Sequence, residues 1–311
     1  MNVFTKQLNE DVLIDVFDLA IYTSGYEPRS VFLFSKNIKS INTVVLGFKS
    51  FENHNTRIDN DNFFKKNGIS IINADGNSHQ VIYDILSKYI RDNLNPVVRI
   101  FIDYSSMTRV WYGCILSYFN DNNFERKQVE IIFGYSFATY QAPPTGSYRN
   151  LFVSPIDGFS YFSIPDKPTA VLIGLGYEKN KAFGLSEYFD GKTFLFYNND
   201  ATDQRFTADI EVINFQLIQD TPEENIFTIP IKDLEFSERQ LLSLCDYLKQ
   251  ECRVVIAPSG PKPFTLLSLI IAIKLKEVDV WRISQGDNRN PIQFEANGEI
   301  SYYKVTFDYN T

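Results

Sequence analysis

Two short polar segments of this sequence combine residue types suited to holding an anion. One is Ser24-Gly25-Tyr26-Glu27, with Arg29 just beyond it; the other is Asp103-Tyr104-Ser105-Ser106-Met107-Thr108-Arg109. The hydroxyls of Ser105, Ser106 and Thr108 can donate hydrogen bonds, and Arg109 brings a fixed positive charge. Glycine admits close approach to the backbone. A helix opening at such a segment adds unpaired N–H groups and a partial positive charge in its first turn. Near-copies occur later, as Leu175-Gly176-Tyr177-Glu178-Lys179 and Ala257-Pro258-Ser259-Gly260-Pro261-Lys262. Glu27 to Glu178 and Ser106 to Ser259 span nearly the same number of positions. Two motifs returning in one order at nearly one offset point to an internal duplication.

Each residue also has a purely structural use. Ser106 or Thr108 suits a helix N-cap. Arg109 can pair with Glu27 or Asp103, and Asp103 can hold its loop through backbone hydrogen bonds. Tyr26 and Tyr177 can serve as core aromatics, and Gly25 and Gly176 can simply end strands. The recurrence of both motifs in both halves favours a ligand, because a solitary cap has no need to recur.

The elements that must position these segments are short apolar runs alternating with helical patterns. The first series predicts strands at Leu19–Ser24, Thr43–Phe48, Ile69–Asn73, Val97–Ile102 and Val129–Gly134, with helices near Ser78–Asp92 and Thr108–Phe119. The second predicts strands at Ala170–Leu175, Thr193–Tyr197, Ile226–Ile231, Arg253–Ala257 and Val278–Ile283. Its helices fall at Lys181–Phe189, Ala208–Ile218, Glu238–Gln250 and Phe264–Lys276, and Tyr302–Phe307 adds an antiparallel edge. Continuous apolar strands with helical crossovers imply parallel sheets covered on both faces. The expected fold is α/β, two tandem Rossmann-like parallel-sheet units related by duplication. The first occupies 1–140 and the second 169–311, joined by a Pro/Gly-rich connector at 141–168 with a hairpin around Phe152 and Tyr161. With strand order 3-2-1-4-5, the first and fourth strands are neighbours. Both motifs of a half then face one crevice at the carboxyl ends of the strands, where such sheets bind ligands.

Composition narrows the partners. The chain has 311 residues and a formal net charge of −8, which opposes long nucleic acid in the absence of a basic stripe; Lys65-Lys66 reads as a solvated helix face. A small anion is compatible, because a few local donors outweigh a distant charge that salt screens. No apolar run is long enough for a membrane span, and the polar start MNVFTKQLNEDVL lacks the features of a signal peptide. Three cysteines at unrelated spacings suit a reducing compartment, so a cytoplasmic location is expected. No Cys/His spacing suits zinc, and two histidines in polar stretches, His54 and His79, give little material for a Ser-His-Asp triad. No metal and no cofactor is expected.

The order Asp103, any residue, Ser105, three residues, Arg109 resembles the fourth-strand signature of CARF domains, Rossmann-like sensors of cyclic oligonucleotides in CRISPR-associated immunity. The duplicated architecture is also similar to SAVED domains, which look like two fused CARF-like units serving anti-phage signalling. The resemblance covers two loops and the general architecture. It implies a ligand touching the first-strand and fourth-strand loops across a pseudo-two-fold interface. That assigns Ser24, Gly25, Tyr26, Glu27, Ser105, Ser106 and Arg109 to binding. The second half departs from the signature: Ala257 or Ile256 stands where the Asp belongs, and Lys262 arrives one residue early if Ser259 matches Ser105.

Three function classes share these residues. The first is a sensor or adaptor that binds a small phosphorylated ligand, a nucleotide or cyclic oligonucleotide, in a cleft between halves and signals to a separate effector protein. Its expected ligand-binding set is Ser24, Gly25, Tyr26, Glu27, Arg29, Asp103, Ser105, Ser106, Thr108 and Arg109, with Gly176, Tyr177, Glu178, Lys179, Ser259, Gly260 and Lys262. The second is an enzyme cleaving such a nucleotide, in which Ser105, Arg109 and Lys262 position the ligand and stabilise charge, or Glu27 or Glu178 acts as general base. The third is an assembly subunit with a vestigial site. The acidic Glu27 and Glu178 oppose a phosphate unless Arg29, Arg109, Lys179 or Lys262 neutralises them.

Overall fold

The computed structural model describes residues 1–9, 15–90, 93–125, 127–143, 152–161, 166–178, 180–199, 203–284 and 293–310. Strand β1 (Asn2–Leu8) precedes β2 (Phe17–Ser24), β3 (Ser40–Phe48), helix α1 (Asn55–Lys66) and β4 (Ile71–Ala74). Then come α2 (Gln80–Tyr89), β5 (Val97–Asp103), α3 (Arg109–Asp121) and β6 (Gln128–Ala138). A second run follows: β7 (Phe152–Pro155), β8 (Thr169–Gly174), α4 (Lys181–Phe189), β9 (Lys192–Asn198), α5 (Arg205–Ile213), α6 (Phe215–Asp220), β10 (Ile226–Ile229), α7 (Leu234–Leu248), β11 (Arg253–Pro258), α8 (Lys262–Leu275) and β12 (Val278–Ser284). The last strand is β13 (Ala296–Asp308).

Among the described residues these strands form two sheets. The order is β1-β13-β6-β5-β2-β3-β4 in one and β10-β9-β8-β11-β12-β7 in the other. In the first, β4-β3-β2-β5-β6 is wholly parallel. In the second, β10-β9-β8-β11-β12 is parallel in the same way. Numbered within each series, both read 3-2-1-4-5, so the duplicated Rossmann-like arrangement is present in full. The central strand β2 has all eight residues buried, as a strand covered on both faces requires. Helix α8 is apolar almost all round and buried along nearly its whole length, the pattern of a helix inside a core rather than on a surface.

The chain divides into two compact units, one made of 1–139 with 289–311 and the other of 140–288. This corrects the expected boundaries of 1–140, 141–168 and 169–311 at both ends. The strand expected as an edge of the second half, β13, returns to the first unit and lies antiparallel between β6 and β1. The connector belongs to the second unit, where β7 pairs antiparallel with β12 in place of the expected hairpin. No helix among the described residues is long and apolar enough to cross a membrane. The three cysteines are free thiols, Cys114 and Cys245 buried and Cys252 half-buried.

Candidate functional site

In the first unit β2 and β5 are hydrogen-bonded neighbours, so the loops that follow them meet. The seam between them is made of hydroxyls. Ser30 Oγ donates to Ser106 Oγ at 2.9 Å and accepts from the Gly25 N–H at 3.3 Å. A Cβ on Gly25 would stand 3.0 Å from Ser30 Oγ and 3.3 Å from Ser106 Cβ, so the glycine is what allows the loops to close. Asn60, from α1, donates to the carbonyls of Gly25 and Glu27.

Most of the expected ligand donors are spent within the fold. Ser24 is fully buried and donates to Asp61 at 2.5 Å. Asp61 in turn pairs with the buried Arg57, which reaches the Phe48 carbonyl and Asn73. Asp103 Oδ1 accepts the Ser105 N–H, and Ser105 Oγ accepts the Ser136 N–H at 2.8 Å. Thr108 caps α3 by accepting the Trp111 N–H and donates to the Gly76 carbonyl. The ligand contacts expected of Ser24, Ser105 and Ser106 therefore meet a structural obstacle: these hydroxyls are buried and serve the loops themselves.

Glu27 pairs with Arg29, at 2.5 Å, rather than with Arg109. Arg29 also donates to the Ser136 carbonyl and the Tyr135 hydroxyl, and its guanidinium lies over the rings of Tyr135 and Phe294. Burial opposes the charge of Arg29, but Glu27 and Tyr135 outweigh it and hold its pKa above the ordinary value. Neither member of this buried pair faces outward, contrary to the ligand-binding role expected for both. Tyr26 and Arg109 remain half-buried at the lip of the crevice. Burial and Glu27 push the Tyr26 phenol up to about 12, while Arg29 and Arg109 pull it the other way, which puts Arg109 within electrostatic reach of Tyr26.

The second unit closes the same seam with glycines. A Cβ on Gly176 would lie 2.4 Å from the Ser259 carbonyl oxygen, and one on Gly260 2.5 Å from that of Leu175. The two backbones touch where the first unit uses Ser30 and Ser106. Ser259 N–H donates to the Gly174 carbonyl. Asn214, at the break between α5 and α6, holds the Gly176 carbonyl, so the expected helix 208–218 is two helices with a crevice contact at their joint. Glu178 pairs with Lys181 at 3.2 Å. Lys181 is almost fully buried and is a site residue that sequence reasoning missed; its signal was a cation in the first turn after the Gly-Tyr-Glu motif, as with Arg29. Lys179 lies outside the described residues.

Strand register settles how the halves correspond. Ile21, four residues before Gly25, lies beside Ile102; Leu172, four before Gly176, lies beside Ile256. Ala257 therefore stands in the place of Asp103, Ser259 in that of Ser105 and Gly260 in that of Ser106. The expected match of Ser259 with Ser106 shifts by one residue.

Arg109 and Lys262 are the first residues of α3 and α8, and neither helix has an acidic residue in its first turn. Pro261 leaves α8 without a side-chain cap. A cation at a helix N-terminus works against the macrodipole by about 0.3–1 kcal/mol, and an anion bound there reverses the sign.

No family model matches the chain, and no curated protein does. A solved structure, the cytoplasmic domain of a prokaryotic cation chloride cotransporter, is similar over 88% of this chain and 98% of its own. The identity is 11% and the TM-score 0.24, a likeness too low to bear on function.

Proposed function

We propose that this chain binds a small phosphorylated ligand, a nucleotide or cyclic oligonucleotide signal, at the strand-end crevices of its two units. It then acts as a cytoplasmic sensor or adaptor for a separate effector protein in anti-phage defence. The observation that carries the binding reading is the cation that opens α3 and the one that opens α8, each next to the loops that follow the first and fourth strands of its unit, where helix N–H groups and fixed positive charge together suit an anion. The defence setting and the cyclic ligand rest on the resemblance of Asp103 to Arg109 to the CARF signature. The internal ion pairs Glu27–Arg29 and Glu178–Lys181 remove the electrostatic objection to phosphate. A second reading, an assembly subunit with locked loops, draws on the hydroxyls of Ser24, Ser105 and Ser106 being taken inside the fold.

Calorimetric titration with mononucleotides and cyclic oligoadenylates tests the proposal. Arg109→Ala and Lys262→Ala should each weaken binding by about 1.5–3 kcal/mol, the range for a hydrogen bond to a charged group. Absence of binding by the intact protein would refute the sensor reading, and undiminished affinity in both variants would refute the site. Chromatography of the same mixtures separates binding from cleavage, since only an enzyme leaves new products.

A further inference from the structure

We infer that each unit carries a nucleobase-stacking platform at the lip of its crevice, a reading that rests on the nucleotide proposal and narrows it to ligands recognised through their bases. In the first unit the platform is Tyr26 with Phe51, ring centroids 4.6 Å apart, and His54, at 6.4 Å from Tyr26. In the second it is Tyr177 with Phe206, nearly parallel at 5.9 Å, and Tyr140 edge-on to Phe206 at 5.3 Å. The parts correspond. Tyr26 and Tyr177 follow the glycine of the first-strand loop, and Phe51 and Phe206 follow the second strand of each series. All six rings are half-buried, whereas the rings that build the cores, such as Phe101, Phe133 and Phe194, are buried.

Aromatic side chains at the end of a parallel sheet, beside cations that suit phosphate, are the combination that holds nucleotides by stacking without demanding one base. Arg205 adds a guanidinium 4.1 Å over the Tyr140 ring, held there by Asp203, and Tyr140 is fixed by donating to Asp209 at 2.6 Å. Each platform also holds one buried polar atom with no hydrogen-bond partner among the described residues, His54 Nδ1 in the first and the Tyr177 hydroxyl in the second.

The test compares adenosine 5′-monophosphate with ribose 5-phosphate, which keeps the phosphate and lacks the base. The proteins are wild type, Phe51→Leu, Phe206→Leu and the conservative Phe51→Tyr and Phe206→Tyr. Leucine keeps an apolar side chain and removes the π-face. Wild type should bind the nucleotide at two sites and more tightly than the sugar phosphate. Each leucine variant should lose about tenfold in nucleotide affinity at one site, with ribose 5-phosphate unaffected and the tyrosine variants like wild type. The inference is overturned if the nucleotide binds no tighter than ribose 5-phosphate, or equally well to the leucine variants; either result leaves phosphate binding standing. If wild type binds neither compound, the nucleotide proposal falls and the platforms with it. Thermal midpoints of the variants identify any that fail to fold, and the tyrosine variants then carry the comparison: tyrosine keeps the π-face, so a tenfold loss there also overturns the inference.

Discussion

Removing the Arg29 guanidinium should be among the most damaging single changes in the first unit. Arg29 and its partner Glu27 are both buried and 2.5 Å apart. Arg29→Met leaves the Glu27 carboxylate buried without its cation, and breaking a buried pair in this way costs about 3–5 kcal/mol. The Ser136 carbonyl and Tyr135 hydroxyl lose a donor in the same step. Glu27→Met should cost a similar amount, since it strands the arginine. The double variant replaces both charges by apolar side chains and should be more stable than the sum of the singles by about 2 kcal/mol, within the range of coupled neighbours. Urea unfolding followed by tryptophan fluorescence measures this unit by itself. Trp111 is buried against Phe48 in the first unit, so a Trp281→Phe background leaves Trp111 as the reporter. Single variants costing under about 1 kcal/mol, or costs that add within about 0.5 kcal/mol, would refute the assignment of this pair as the bolt of the first-strand loop.

Gly176→Ala places a methyl 2.4 Å from the Ser259 carbonyl oxygen; overpacking of this kind costs about 1–3 kcal/mol, visible as a lowered thermal midpoint, and it should part the two loops of the second crevice. Gly47→Ala drives a methyl into Arg57, 2.0 Å from Nη2, and should destabilise by a comparable amount, with soluble yield and urea midpoint as readouts. Because the folded-state pKa of Tyr26 is raised from 10.0 to about 12, the unfolded chain releases the phenol proton first. Stability from this group is whole below pH 10 and is lost as pH rises through 12. Tyr26→Phe should flatten that part of the pH–stability curve, and an unchanged slope between wild type and variant would contradict the burial of the phenol.

The parallel cores were legible because their strands are continuous apolar runs, and their order followed from the crossovers between them; the register did not, and it moved the match of Ser259 from Ser106 to Ser105. Strand β1 was not legible. Its residues alternate between exposed and half-buried, and its meaning depends on β13, a partner near the other end of the chain. Of helix α1 only the end was legible, Lys65-Lys66 as a solvated face; its extent was not, because the residues it buries include Arg57 and Asn60, which no hydrophobic periodicity records. The motifs were legible as loops that meet, and the sequence even offered their polar residues as structural pieces. It could not say which hydroxyl would turn inward, since that depends on what lies opposite: Asp61 across from Ser24, Ser30 across from Ser106, and the Ser136 N–H across from Ser105.

The two cations deserve to be counted from the helix rather than from the strand. Measured from strand register, Lys262 stands opposite Thr108, and Arg109 opposite Pro263, so the correspondence fails. Measured from the first helical residue, Arg109 and Lys262 coincide. The second loop is one residue shorter, its helix opens one residue earlier, and the cation moves with the helix. A side chain retained for packing against the strand would keep the strand's count. One retained for what gathers at the helix tip would keep the helix's count, and that is the count both residues obey. Charge and helix tip can be separated: Arg109→Gln keeps α3, its Thr108 cap and the loop while removing the charge, and the proposed phosphate affinity should fall by about 1.5–3 kcal/mol. Undiminished binding in that variant would show that the cation at the helix start plays no part.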